Sequence, residues 1–107
     1  MVEKEITEPI KREYPEHPIA SVGACVLQGN RILVIKRANQ PSQGLWSVPG
    51  GVVELGETIQ ETAKREIREE CGIEIDTGEV YQVNNLIIPD ESGEIQYHYV
   101  VTYLLAN

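Results

Sequence analysis

Residues 51–73 read GVVELGETIQETAKREIREECGI, Gly51 to Ile73, and the rest of the chain is best read outward from them. The centre, Arg65-Glu66-Ile67-Arg68-Glu69-Glu70, has helical character with acids three and four residues apart. At about 100° per residue, Glu66, Glu69 and Glu70 share one helix face. Adjacent like charges destabilise a helix, so a neutralising partner is expected. A divalent cation suits the role, because hard cations take carboxylate oxygens. Thr58 with Glu61 three residues on has the form of a capping box, and Gly72 supplies the stop. Ile59, Ala63, Ile67 and Cys71 recur every fourth residue, giving one core-facing stripe. With Ile59 as zero, Glu70 falls at about 20° and Glu66 at about −20°, at the edge of that stripe. A partly buried carboxylate needs a partner, which sets these acids apart from a solvated charge run. Glu61 and Arg65 form a favourable pair by spacing on the other side.

Before the helix, residues 1–18 carry charges and Pro9, Pro15 and Pro18, and are expected as an extended lead-in. Residues 19–107 form the domain. Ile19 to Gln28 is predicted as a strand, Gly29-Asn30 as a tight hairpin, and Arg31 to Arg37 as a returning strand apolar enough to be central. Ala38 to Gly44 is a polar loop, Leu45 to Val48 a short strand, and Pro49-Gly50-Gly51 an abrupt stop. After the helix, Ile73 to Ile75 starts a strand, Asp76-Thr77-Gly78 turns, and Glu79 to Ile88 is a strand. Pro89 to Gly93 is a loop, and Ile95 to Leu105 is a long strand carrying Tyr97, Tyr99 and Tyr103. One helix covers one face of the resulting sheet. The tyrosines form a sheet face that a second copy could cover, so a homodimer is compatible with the pattern.

The chain has 107 residues, enough for one domain. With 17 acids against 9 bases and a net charge of −8, it lacks the basic surface that grips nucleic acid. No apolar run approaches membrane-spanning length, and the first residues lack signal-peptide form. Cys25 and Cys71 make no disulfide framework, which points to a reduced, cytoplasmic setting.

Gly51, five residues, Glu57, seven residues, Arg65-Glu66-Ile67, one residue, Glu69-Glu70, one residue, Gly72-Ile73 resembles the Nudix box at all nine constrained positions. The flanking Gly44-Leu45-Trp46, Pro49-Gly50-Gly51 and the preceding hairpin extend the resemblance over most of residues 20–105. It implies an α+β fold, an α/β/α sandwich on a mixed sheet, and hydrolysis of a nucleoside diphosphate linked to another moiety, with Mg2+ or Mn2+. It also implies that Glu66, Glu69 and Glu70 bind metal with the Gly51 carbonyl, while Glu57 and Arg65 pair to fix the loop on the helix. Family members usually continue with a further strand and helix, and this sequence ends about where those begin. Pro89, sixteen residues beyond Ile73, resembles the downstream proline of ADP-ribose pyrophosphatases, whose products are AMP and ribose 5-phosphate; it equally begins a surface loop. A nucleoside triphosphate pyrophosphohydrolase and a non-catalytic nucleotide-binding module are the alternatives, and the intact acid set favours catalysis.

Four further side chains have two readings each. Arg37 either reaches a substrate phosphate or ends a strand in solvent. Trp46 either packs in the core, the common fate of a lone tryptophan, or stacks on a base. Glu91 and Glu94 are loop acids or late catalytic groups.

Overall fold

The computed structural model describes residues 11–107; residues 1–10, including Pro9 of the lead-in, lie outside the described part. Strand β1 (Ile19–Gln28) organises the fold. It pairs antiparallel with β2 (Arg31–Ile32) and with β5 (Gly50–Val52), and parallel with β7 (Ile95–Ala106). β7 in turn pairs antiparallel with β6 (Thr77–Pro89), giving a mixed five-stranded sheet, while β3 (Ile35–Lys36) and β4 (Trp46–Ser47) form a separate small ribbon.

The one helix among the described residues, α1 (Ile59–Cys71), begins and ends where its caps require. Thr58 Oγ1 accepts from the Glu61 amide at 3.1 Å, and Glu61 Oε1 accepts from the Thr58 amide at 3.2 Å. At the far end Gly72 takes φ +70°, a left-handed conformation, and its N–H donates to the Arg68 carbonyl. The stripe buries as expected: Ala63 and Ile67 are fully buried against Val22, Ala24, Val26 and Leu104 of the sheet. The opposite sheet face carries a second cluster, Ile19, Val52, Tyr97 and Tyr99. The alternation of β7 thus sends Leu104 to the helix and the tyrosines to the other side.

Four expectations are corrected. Residues 31–37 are not one central strand. They divide between β2 and β3, and Ile32 and Val34 are exposed, because only β1 is available to β2. The short strand ends at Ser47, before Pro49 as expected, but Gly50 and Gly51 are not outside a strand: they belong to β5, opposite Gly23 and Val22. Pro49 lacks a donor, but its carbonyl still accepts from the Ala24 amide at 2.8 Å. Ile75 is buried in the helix-side core without being in a strand. Residues 76–78 do not turn, since Asp76 and Asn107 exchange both backbone hydrogen bonds and lead directly into β6. No helix among the described residues is long and apolar enough to cross a membrane.

Candidate active site

Arg65 holds the loop before α1 against the helix. Its Nε donates to Glu57 Oε2 at 2.7 Å and its Nη2 to Glu57 Oε1 at 2.9 Å, a bidentate pair. Nη2 also donates to the Val52 carbonyl at 3.1 Å, and Nη1 to Glu66 Oε1 at 2.7 Å. Glu57 Oε1 receives the Glu54 amide at 2.9 Å, and the Thr62 hydroxyl lies 3.0 Å away. The Arg65 guanidinium, followed by the Glu54 amide, holds the Glu57 carboxyl down at about 2. Glu57 and Arg65 therefore pair as expected. The Glu61–Arg65 pair does not form, because Glu61 is used by the cap and Arg65 turns toward Glu57.

This latch places the acids unequally. Glu66 has a side chain only 16% exposed, facing Gly51, where any Cβ would strike its carboxylate. Glu70 borders the same position. Burial of its carboxyl, then a hydrogen bond with Glu66 and the Glu66 charge, push it up to about 7, against the opposing pull of the Gly50 amide and Arg37. Residue 70 as a whole is exposed, so the loss of solvent concerns the carboxyl end turned toward Gly50. Glu69 is 59% exposed, with its carboxylate 3.4 Å from Arg65 Nη1. Among the described residues, no three His, Cys, Asp or Glu side chains converge as a ready-made metal cage. What converges is the Glu66–Glu70 pair beside Gly51, with Glu69 one helical turn's edge away. Two carboxylates in contact carry surplus negative charge and offer only oxygen donors. That donor set fits a hard divalent cation.

Of the pair, Glu70 lines a cleft of about 730 Å³, together with Arg37, Trp46, Gly51, Tyr99 and Tyr103. Gly23 lets the Tyr103 ring close over the strand, since a Cβ there would lie 2.6 Å from it. Arg37 is steadied by its Nε donating to the Pro41 carbonyl at 2.7 Å. Trp46 is 69% exposed and lines the cleft, so the core reading of this residue fails. Among the described residues the β3–β4 ribbon pairs with no further strand, which leaves the indole at the cleft wall. Pro89, Glu91 and Glu94 do not line the cleft. Pro89 ends β6, and the following turn is closed by Asp90 Oδ1, which accepts from the Ser92 and Glu94 amides. Burial raises both thiols, Cys25 and Cys71, and disfavours their reactive form.

Sequence reading missed Thr62 and the Val52 carbonyl as parts of the latch. Thr62 carries a signal, a poor helix former in mid-helix, whereas the carbonyl carries none.

A model of the NUDIX domain matches residues 17–107. The chain belongs to the NUDIX family. Among curated NUDIX-like relatives, it is 47% identical over 57 residues to an ADP-ribose pyrophosphatase of Methanocaldococcus jannaschii, covering 53% of this chain and 34% of that protein. It is 37% identical over 93 residues to a CTP pyrophosphohydrolase of Escherichia coli, covering 75% of this chain and 69% of that protein. The crystal structure of a MutT NUDIX hydrolase from Burkholderia pseudomallei superimposes with a TM-score of 0.65 at 34% identity, covering 86% of this chain and 68% of that one. The chain thus spans about a third of the archaeal relative's length. The fold is the NUDIX α/β/α type on a mixed sheet, with α1 carrying the box.

Proposed function

We propose that this NUDIX chain hydrolyses a diphosphate linkage in a nucleoside diphosphate joined to another moiety, using Mg2+ or Mn2+. The observation that carries the reading is the Glu66–Glu70 carboxylate pair beside Gly51, with Glu66 held by the Arg65 latch and Glu70 and Gly51 lining the cleft. Glu66, Glu69, Glu70 and the Gly51 carbonyl are the groups to hold the cation. When bound, the cation neutralises diphosphate oxygens and makes a water more acidic. The chain does the rest. Arg65 fixes the Glu66 carboxylate, Glu57 fixes Arg65, Arg37 offers a charge to a phosphate, and Trp46 offers a ring to a base.

For the substrate we infer ADP-ribose, giving AMP and ribose 5-phosphate, supported by the similarity to the archaeal ADP-ribose pyrophosphatase. Pro89 lends no support, since it lies at a turn away from the cleft. A triphosphate pyrophosphohydrolase is the second reading, favoured by the longer match to the CTP enzyme. In a panel of ADP-ribose, other nucleotide sugars, dinucleotides, CTP and an 8-oxo purine triphosphate with Mg2+, ADP-ribose should give the highest kcat/KM. A triphosphate in first place transfers the assignment to the second reading. Binding without turnover of any of them identifies a binding module.

The latch also sets an acid limit on stability. Glu57 has a folded pKa of about 2, below its ordinary 4.5. Its contribution is therefore present above about pH 4.5 and is lost as pH falls toward 2. Glu57→Gln should flatten that part of the Tm-versus-pH curve, and an unchanged acid limb contradicts the pairing.

A further inference from the structure

Residues 12–14 lie outside the NUDIX match, yet they are fastened to the sheet. Tyr14 takes φ +52°, uncommon for a side-chain-bearing residue. Its N–H donates to the Gln96 carbonyl at 2.8 Å and its hydroxyl to Asp90 Oδ2 at 2.8 Å. Beside it, the Tyr97 hydroxyl donates to Glu13 Oε2 at 3.3 Å. These contacts bridge 76 and 84 residues of sequence at the β6–β7 turn and the start of β7. They tie the chain to the tyrosine face, and Arg12 contributes to the lining of the cleft, as do Leu86 and Tyr99.

The position of Arg12 relative to the acids follows from strand register. Gly51 pairs with Val22, which pairs with Thr102, whereas Tyr14 is bound at Gln96, six residues earlier in β7. Six residues of strand span about 20 Å. The strap therefore joins the cleft well away from Glu70, where the moiety attached to a diphosphate would extend. Among the described residues no carboxylate lies within ion-pair distance of Arg12. In a chain of net charge −8, a guanidinium delivered to the cleft in this way is a notable placement. Resting on the diphosphohydrolase reading, we propose that Arg12 is a substrate-binding residue, donating hydrogen bonds to hydroxyl or phosphate oxygens of the substrate's distal moiety. Tyr14 is its positioning residue.

The test uses Arg12→Ala, Arg12→Lys and Tyr14→Phe, with steady-state kinetics on ADP-ribose and on CTP in Mg2+. Quenching of Trp46, the one tryptophan, reports binding separately from turnover. Arg12→Ala should raise KM and weaken binding about tenfold for the substrate that wild type turns over, with kcat within twofold and Tm unchanged. Arg12→Lys should recover part of the loss. Tyr14→Phe should raise KM less, and its effect should not add to that of Arg12→Ala in the double variant. Wild-type turnover with an unchanged KM in Arg12→Ala overturns the Arg12 inference alone. A fall in kcat together with Tm assigns Arg12 a structural role and also overturns it. If wild type neither binds nor hydrolyses any nucleotide of the wider substrate panel, the functional reading fails and this inference fails with it.

Discussion

Glu66→Gln and Glu70→Gln should each lower kcat by about 10³-fold while leaving the fold intact. Each change keeps the side chain's shape and removes one of the two carboxylates that meet beside Gly51. Stability should move the other way for Glu70. Its carboxyl is raised from the ordinary 4.5 to about 7 by burial and by Glu66. A folded pKa above the unfolded one means that stability is full below about pH 4.5 and is lost as pH rises through 7. In EDTA at pH 8, Glu70→Gln should therefore melt at or above the wild-type temperature, and at pH 4 the difference should vanish. Glu69 is the informative third case, since its exposed side chain is held only loosely by Arg65. Loss of turnover in Glu69→Gln assigns it to the cation, whereas wild-type rates restrict the ligand set to Glu66 and Glu70.

Two adjacent glycines should fail in different ways. A Cβ at Gly50 would run into the Val22 carbonyl and lie 2.9 Å from the Gly23 Cα, both backbone of β1. Neither can yield without separating β5 from β1, so Gly50→Ala should cost about 3 kcal/mol or more. A Cβ at Gly51 would instead meet the Glu66 carboxylate, with Oε2 at 2.8 Å. That flexible end can swing aside, at the cost of its 2.7 Å bond to Arg65. Gly51→Ala should therefore lose about 1 kcal/mol of stability and about 100-fold or more in kcat. Urea denaturation and kinetics on the pair of variants check this. Equal stability losses would show that Gly51 is needed for the sheet and not for placing Glu66.

The helix was legible because its signals are local. Thr58, Glu61 and Gly72 specify both ends, and the four-residue apolar stripe specifies the buried face. The placing of Glu66 at the edge of the buried stripe also followed from the helical wheel. Elements that depend on distant partners were not legible. Gly50 and Gly51 have poor strand propensity and form β5 through their pairing with Gly23 and Val22 of β1, which comes so close to Gly50 that any side chain there would collide. The apolar run at residues 31–37 reads as a central strand, but centrality depends on what lies on both sides, and β2 has only β1. Trp46 looks like core by composition, and only the fold shows that the β3–β4 ribbon leaves it at the cleft. Spacing paired Arg65 with Glu61, whereas a bidentate partner eight residues away prevailed. Arg12 had no signal at all, because its position depends on contacts with β7 and the turn before it.

The cation site is tested most directly by thermal melting of wild type and of the Glu66→Gln/Glu70→Gln double variant, each in EDTA and in millimolar Mg2+ or Mn2+. A ligand that binds only the folded chain raises Tm, whether or not a substrate is known. Wild type should melt several degrees higher with the cation than with EDTA, and the double variant should show no such rise. An equal rise in both, or none in wild type, contradicts a cation held by Glu66 and Glu70 beside Gly51.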